Sequence, residues 1–206
     1  MIDLDNKKIV LIGGGHVSLR KSKKFLEYGA EVYVVAPSFQ EYFSVLKEAY
    51  AEKLCLVKDN YKSEYIMDAF LVVASTNSKE VNSKIASFCV EKNILCNVVD
   101  DIEDSSFIVP STVKRGDLLI SVSTLGNSPS LCAKIRRELE QTYGEDYEEY
   151  VSLLGKVRKI ILETCKDNSE KKNILNNLAN LKLQELKDFY KQLKINPYSY
   201  KCMSDL

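Results

Sequence analysis

Lys8-Ile9-Val10-Leu11-Ile12-Gly13-Gly14-Gly15-His16-Val17-Ser18 is the stretch on which the reading of this chain turns. Four apolar residues in succession, without alternation, predict a strand buried on both faces, as in a parallel sheet. Three glycines end the strand. A helical pattern over 16–28 follows and stops before Gly29, a favoured residue just past a helix end. Glu31-Val32-Tyr33-Val34-Val35, closed by Pro37, predicts a second strand, and residues 39–52 a second helix. Leu54-Cys55-Leu56-Val57 and Phe70-Leu71-Val72-Val73-Ala74 predict strands three and four. Asn77-Ser78 can cap a helix whose residues Val81, Ile85, Phe88 and Cys89 share one face, and Ile94–Val99 predicts a fifth strand. This alternation predicts an α/β fold with a parallel sheet covered by helices on both faces.

The glycines have the spacing GxGxxS, with Gly13, Gly15 and Ser18 in the three marked positions. At a first strand–helix junction this is the turn of a Rossmann-type sheet. The first glycine permits the tight turn, the second lets the backbone approach a pyrophosphate, and the small Ser18 allows close helix–sheet packing. The free N–H groups and partial positive charge of a helix N-terminus suit phosphate oxygens. A dinucleotide is therefore the expected ligand of the first ~110 residues, and a purely structural tight turn is the competing reading. The second strand ends in Ala36-Pro37-Ser38, without the carboxylate that holds a ribose diol and without an adjacent Arg for a 2′-phosphate, so NAD is favoured over NADP. Thr76, after the fourth strand, reads equally as a cofactor contact or as part of the cap supplied by Asn77 and Ser78. Asp100, after the fifth, reads either as a solvated loop residue or as a carboxylate whose burial tunes it for proton transfer.

After residue ~105 the rhythm changes. Phe107-Ile108-Val109-Pro110 and Leu118–Ser123 predict two strands joined by a turn at Lys114-Arg115-Gly116-Asp117, then a helix with Pro129 in its first turn. Two strands do not make a stable unit alone, which points to pairing with a second subunit. The hydroxyl-rich loop Ser121–Pro129 serves either to cap that helix, through Ser128, or to recognise an anion at its start. The expected organisation is a nucleotide-binding domain at 1–105, a dimerisation segment at 106–144 and a helical region at 145–206.

Composition narrows the class. Apolar residues make up 45% of 206 residues and net charge is zero, which gives no support for nucleic-acid binding. Residues 151–206 hold 11 Lys+Arg against 6 Asp+Glu, and 1–150 hold 18 against 23, an asymmetry sized for a small anionic ligand. No run is long enough to span a membrane, and the first residues lack a signal-peptide core, so a cytoplasmic protein is expected. The cysteines at 55, 89, 96, 132, 165 and 202 form no CxxC, and His16 is the single histidine, so no metal site is expected. Cys89 and Cys96 read as buried free thiols. There is no GxSxG, P-loop or HExxH.

Ile9–Val17 followed by Arg20-Lys21, Val34-Val35-Ala36-Pro37, Ala74-Ser75-Thr76-Asn77 with Asn82, Asn97-Val98-Val99-Asp100-Asp101, Ser106–Pro110 and Gly126-Asn127-Ser128-Pro129 stand in one order. Together they resemble the precorrin-2 dehydrogenase family, whose domain also begins siroheme synthases. The resemblance covers roughly residues 1–140 and departs at Leu125, where a glycine is common. It implies a homodimer that uses NAD to oxidise precorrin-2 to sirohydrochlorin, on the route to siroheme or cobalamin. It implies Asp100 as the catalytic aspartate, with the pyrophosphate over Gly13, Gly14, Gly15, His16 and Val17. The adenosine side would reach Ala36, Pro37 and Ser38, and Thr76 would line the crevice. Substrate carboxylates would meet Ser123, Thr124 and Ser128. Two alternatives stay open: a bifunctional enzyme that also inserts Fe²⁺ into sirohydrochlorin, and an NAD(H)-sensing dimer without catalysis.

Overall fold

The structure is a computed structural model that describes residues 2–99 and 101–200. Asp100 and Cys202 therefore lie outside the described residues. The chain forms two compact units, Met1–Val109 and Pro110–Leu206.

The first unit is an α/β domain. Its strands are β1 (Lys8–Ile12), β2 (Glu31–Ala36), β3 (Leu54–Lys58), β4 (Leu71–Ala74) and β5 (Leu95–Val98). They lie in the order β3-β2-β1-β4-β5, and every pairing is parallel. The central strands β1 and β4 are buried almost throughout, the burial that their unbroken apolar runs predict. Helices α1 (His16–Glu27) and α2 (Tyr42–Ala49) supply Phe25, Leu26, Phe43 and Leu46 to the core on one face. On the other face, α3 (Lys79–Glu91) and a 3-10 turn at Ser63–Ile66 supply Ile85, Ala86, Cys89 and Ile66. Each such apolar side chain contributes roughly 1.5–3 kcal/mol by leaving water. Cys89 and Cys96 are buried free thiols on this second face. Hydrogen bonding to Cys89 and burial push the Cys96 thiol up, away from the reactive thiolate.

β5 is an edge strand, and two serines cover its backbone. Ser106 Oγ accepts from Cys96 N at 2.7 Å, and Ser106 N donates to Cys96 O at 2.8 Å. Ser105 Oγ accepts from Val98 N at 2.9 Å. The Asn97 side-chain amide donates to Phe107 O at 3.1 Å. Side chains here replace the next strand and close an edge that would otherwise invite pairing.

Residues 107–110 are not a strand, contrary to the sequence expectation. Phe107 and Val109 pack against the core of the first unit, and Pro110 has no N–H to give to a ladder. The hairpin is formed instead by β6 (Ser111–Arg115) and β7 (Leu118–Val122), antiparallel, with Arg115 opposite Leu118. Its two-residue turn begins with Gly116 at φ +55°, the positive φ that a type II′ hairpin needs in its first position. That turn sets the register and so the strand boundary. Among the hairpin residues only Val113 is fully buried.

The second unit continues with α4 (Pro129–Thr142), α5 (Asp146–Thr164), α6 (Asn168–Leu178) and α7 (Leu183–Ile195). Leu153, Val157 and Ile161 of α5 pack with Ile174, Leu178, Leu186, Phe189 and Leu193. The Tyr150 hydroxyl lies 3.1 Å from Ala179 O and 3.0 Å from Leu181 O, satisfying carbonyls left open past the end of α6. Among the described residues no helix is long and apolar enough to cross a membrane.

Ser106→Ala removes both side-chain contacts with the backbone of Cys96. It is expected to lower the unfolding free energy in urea by about 1 kcal/mol; an unchanged midpoint would mean that water serves that edge equally well.

Candidate functional site

The strand order reverses between β1 and β4, and the loops leaving their carboxyl ends define a crevice at that switch point, where open α/β sheets bind ligands. Gly13 has φ +121°, and a Cβ there would lie 2.4 Å from Ser75 O in the loop after β4. A Cβ at Gly14 would lie 2.1 Å from Ser38 O in the loop after β2. Gly14 O also accepts from Gln40 N at 2.9 Å. Two of the three glycines thus let the loops of β1, β2 and β4 meet backbone to backbone.

Gly15 is different. Its φ is −83°, which any residue adopts, and a Cβ built on it would meet nothing within 4 Å. It is the N-cap of α1, exposed, and carries no side-chain cap hydrogen bond. Neither the fold nor the cap explains a glycine there, whereas close approach of a ligand does. His16, exposed, and Val17, half-buried, are the first two residues of the helix. Ser18 is fully buried, as is Ser22 one turn on, so the small residues bring α1 close to the sheet. Both hydroxyls are without a hydrogen-bond partner among the described residues. Ala36 is buried at the end of β2, and Pro37 and Ser38 are exposed beyond it. The exposed backbone amides of an uncapped helix, beside a glycine with free space, fit a dinucleotide diphosphate.

Thr76 is fixed by Asn82 of α3. Its hydroxyl donates to Asn82 Oδ1 at 2.7 Å, its N–H reaches the same oxygen at 3.1 Å, and Asn82 Nδ2 donates to Thr76 O at 3.2 Å. Ser78 caps α3 by accepting from Val81 N. Thr76 therefore lies at the crevice with its hydroxyl committed to shaping the loop. Asn82, 6% exposed, is the buried polar residue that shapes it.

Ser123, Thr124 and Ser128 belong to the second unit and are brought together in the loop between β7 and α4. Ser123 Oγ accepts from Leu125 N at 3.1 Å, and Thr124 Oγ1 accepts from Ser128 N at 2.9 Å. Ser128 is the N-cap of α4 and accepts from Leu131 N. The capping reading of Ser128 is observed directly. Leu125 has φ +49°, a left-handed conformation that costs a branched side chain roughly 1–2 kcal/mol.

The sequence placed Gly14 under the pyrophosphate and gave no role to its close approach to Ser38, nor to Ser75 or Gln40. Close backbone approach between distant loops has no local signature, and the run of three glycines was its one trace.

A five-stranded parallel sheet with a glycine turn at its switch point defines a Rossmann-type dinucleotide-binding domain. Residues 1–111 match a family described as "Putative NAD(P)-binding". A precorrin-2 dehydrogenase of Methanosarcina barkeri is 33% identical over 180 residues, which cover 85% of this chain and 79% of that protein. A siroheme synthase of Tolumonas auensis is 34% identical over 164 residues, 80% of this chain. The matched region is 34% of that synthase, so the chain spans about a third of the length of such relatives. A solved structure of SirC, a precorrin-2 dehydrogenase, superposes with a TM-score of 0.76 at 28% identity, covering 94% of this chain and 97% of that one. The chain belongs to the family of precorrin-2 dehydrogenases and siroheme synthase N-terminal NAD(P)-binding domains.

Two outcomes test this geometry. Gly14→Ala forces backbone atoms apart and is expected to cost about 1–3 kcal/mol of stability, whereas Gly15→Ala should change it by less than about 1 kcal/mol; equal losses in thermal melts would contradict the distinction. Leu125→Gly relieves the left-handed strain and is expected to raise the Tm, with a net gain of at most about 1 kcal/mol after the entropy of glycine is counted.

Proposed function

We propose that this protein is an NAD-dependent precorrin-2 dehydrogenase, oxidising precorrin-2 to sirohydrochlorin on the route to siroheme or cobalamin. The observation that carries the reading is Gly15, a glycine with open space at the uncapped start of α1, inside a domain of this family. Bound NAD⁺ supplies the hydride acceptor. The diphosphate would lie over Gly13 to Val17, held by the backbone amides after Gly13, whose own N–H donates to Val35 O; Ala36, Pro37 and Ser38 would border the adenosine ribose, with Thr76 on the opposite wall. Asp100 accepts the proton that leaves the substrate, or fixes the substrate for that loss. Ser123, Thr124 and Ser128 receive substrate carboxylates through loop N–H and hydroxyl groups at the start of α4.

The working form in this reading is a cytoplasmic homodimer that pairs through residues 106–144. The amphipathic helix α4 supports it: the helix has no buried residue, and Leu131 is 45% exposed. An apolar face left this open in one chain is suited to a second.

The test is conversion of precorrin-2 by the purified protein with NAD⁺, followed by the absorbance of sirohydrochlorin. Asp100→Ala is expected to lower turnover about 10²–10⁴-fold with NAD⁺ binding retained, and near wild-type turnover would remove Asp100 from the mechanism. Gly15→Val is expected to weaken NAD⁺ binding in calorimetry without lowering the Tm comparably. Incubation with sirohydrochlorin and Fe²⁺ or Co²⁺ separates a dehydrogenase from a bifunctional enzyme, since metal insertion above the spontaneous rate would add the second activity.

A further inference from the structure

Lys21 reaches from α1 to the edge strand β5. Its Nζ donates to Asn97 Oδ1 at 2.9 Å, and the Asn97 side-chain amide donates in turn to Phe107 O at 3.1 Å. Alternation along β5 explains the meeting. Leu95 packs against the core under α1 and α2, while Cys96 and Val98 belong to the opposite core, so Asn97 faces α1. On the helix, Lys21 lies one turn past Val17 and Ser18, at the flank of the face that buries Ser18, Ser22 and Phe25. Asn97 is 8% exposed, and a buried amide is costly unless it is bonded. The lysine ammonium and the Phe107 carbonyl satisfy its two ends.

These hydrogen bonds join α1, β5 and the segment at Phe107. The first carries at its start the amides that would hold the coenzyme diphosphate. The second leads to Asp100, which follows Asn97 by three positions in the sequence. The third leaves the first unit toward the β6–β7 hairpin. The contact itself lies below the rim of the crevice. Leu11 stands opposite Val73, and Val73 opposite Asn97, so Asn97 is level with a residue two positions short of Gly13, about 7 Å of strand. Lys21 is thus placed to tie together the elements around the crevice rather than to touch what lies in it. Fixing a lysine costs more rotamer freedom than fixing most side chains, and a methionine would cover the same flank without supplying a donor.

We infer that Lys21 is a positioning residue for the oxidation: through Asn97 it holds the end of β5, and so the approach to Asp100, in place against the coenzyme helix. Only its kinetic consequence rests on the dehydrogenase reading given above. That reaction removes a hydride, which passes to NAD⁺, and a proton, so the donor carbon, coenzyme and proton acceptor must be held together. Two measurements on the full-length protein test the role. The first, amide hydrogen exchange, needs no substrate. Lys21→Met is expected to lower the protection of the Val99 N–H, bonded to Ala74 O at 2.9 Å, about tenfold, while the Gly13 N–H, bonded to Val35 O, keeps its own. The second is turnover of precorrin-2. Lys21→Met is expected to lower kcat about 10- to 100-fold, with KM and the Kd for NAD⁺ within about threefold. Lys21→Arg, which keeps a donor, should restore kcat to within about threefold. In an Asn97→Ala background, Lys21→Met should change kcat less than about twofold, because the link is already cut. Unchanged protection at Val99, protection lost equally at Gly13, or an unmoved kcat overturns the role of Lys21. So does a loss of kcat matched by weaker NAD⁺ binding, which would place the lysine on the coenzyme. An unmodified protein that binds NAD⁺ yet leaves precorrin-2 unchanged overturns the dehydrogenase reading, and exchange at Val99 still decides whether Lys21 holds β5.

Discussion

At the carboxyl edge of the sheet, Gly13 touches the backbone of Ser75 and Gly14 touches the backbone of Ser38, at separations that leave no room for a Cβ. These two contacts lock the loops after β1, β2 and β4 into one rim. The position of α1 follows from them, because the helix starts two residues later and is then drawn onto the sheet by Ser18 and Ser22. A side chain at either glycine would have to push one loop off the rim and carry the donor end of α1 with it. Gly15 stands just outside this lock. The same tripeptide thus divides into two residues that close the protein backbone on itself and one that leaves it open to a ligand.

The first unit was legible because a parallel sheet is buried on both faces, and that burial writes unbroken apolar runs such as Ile9–Ile12 and Leu71–Ala74 into the sequence. Phe107–Pro110 looked like another such run. It is a tether whose apolar residues fill the first core while Ser105, Ser106 and Asn97 handle the backbone of β5. Hydrophobicity reports burial, and only hydrogen bonding distinguishes a strand from a buried segment without one. In the hairpin the turn was the better guide, since Gly116 at positive φ fixes which residues can face each other.

Of the candidate site, the parts on one contiguous stretch could be read directly: the glycine turn, the short polar end of β2, the cap at Ser128. Parts made by pairing could not. Ser38 and Ser75 lie 24 and 62 positions beyond Gly14 and Gly13 and meet them only through the fold of the sheet. Asn82 shapes the Thr76 loop from the next helix, and nothing in its local sequence distinguishes it from a surface residue of α3. Leu125 is the instructive intermediate. Its departure from a common glycine was visible, and the structure keeps the left-handed backbone that a glycine would favour. The loop conformation is dictated by its hydrogen bonds with Ser123, Thr124 and Asn127 rather than by the preference of the residue.

The polar residues of that loop and, separately, of the loop after β4 share one habit. Thr76, Ser123, Thr124 and Ser128 each engage the backbone or a side chain of their own segment. An accepting hydroxyl of this kind keeps its own O–H to donate to a ligand. Its contribution is to hold nearby N–H groups in place before the ligand arrives, which lowers the ordering cost of binding. At the start of α1, where no side chain caps the helix, backbone amides are left for a ligand. Diphosphate recognition would then depend on backbone that no substitution short of a bulky Gly15 replacement can remove.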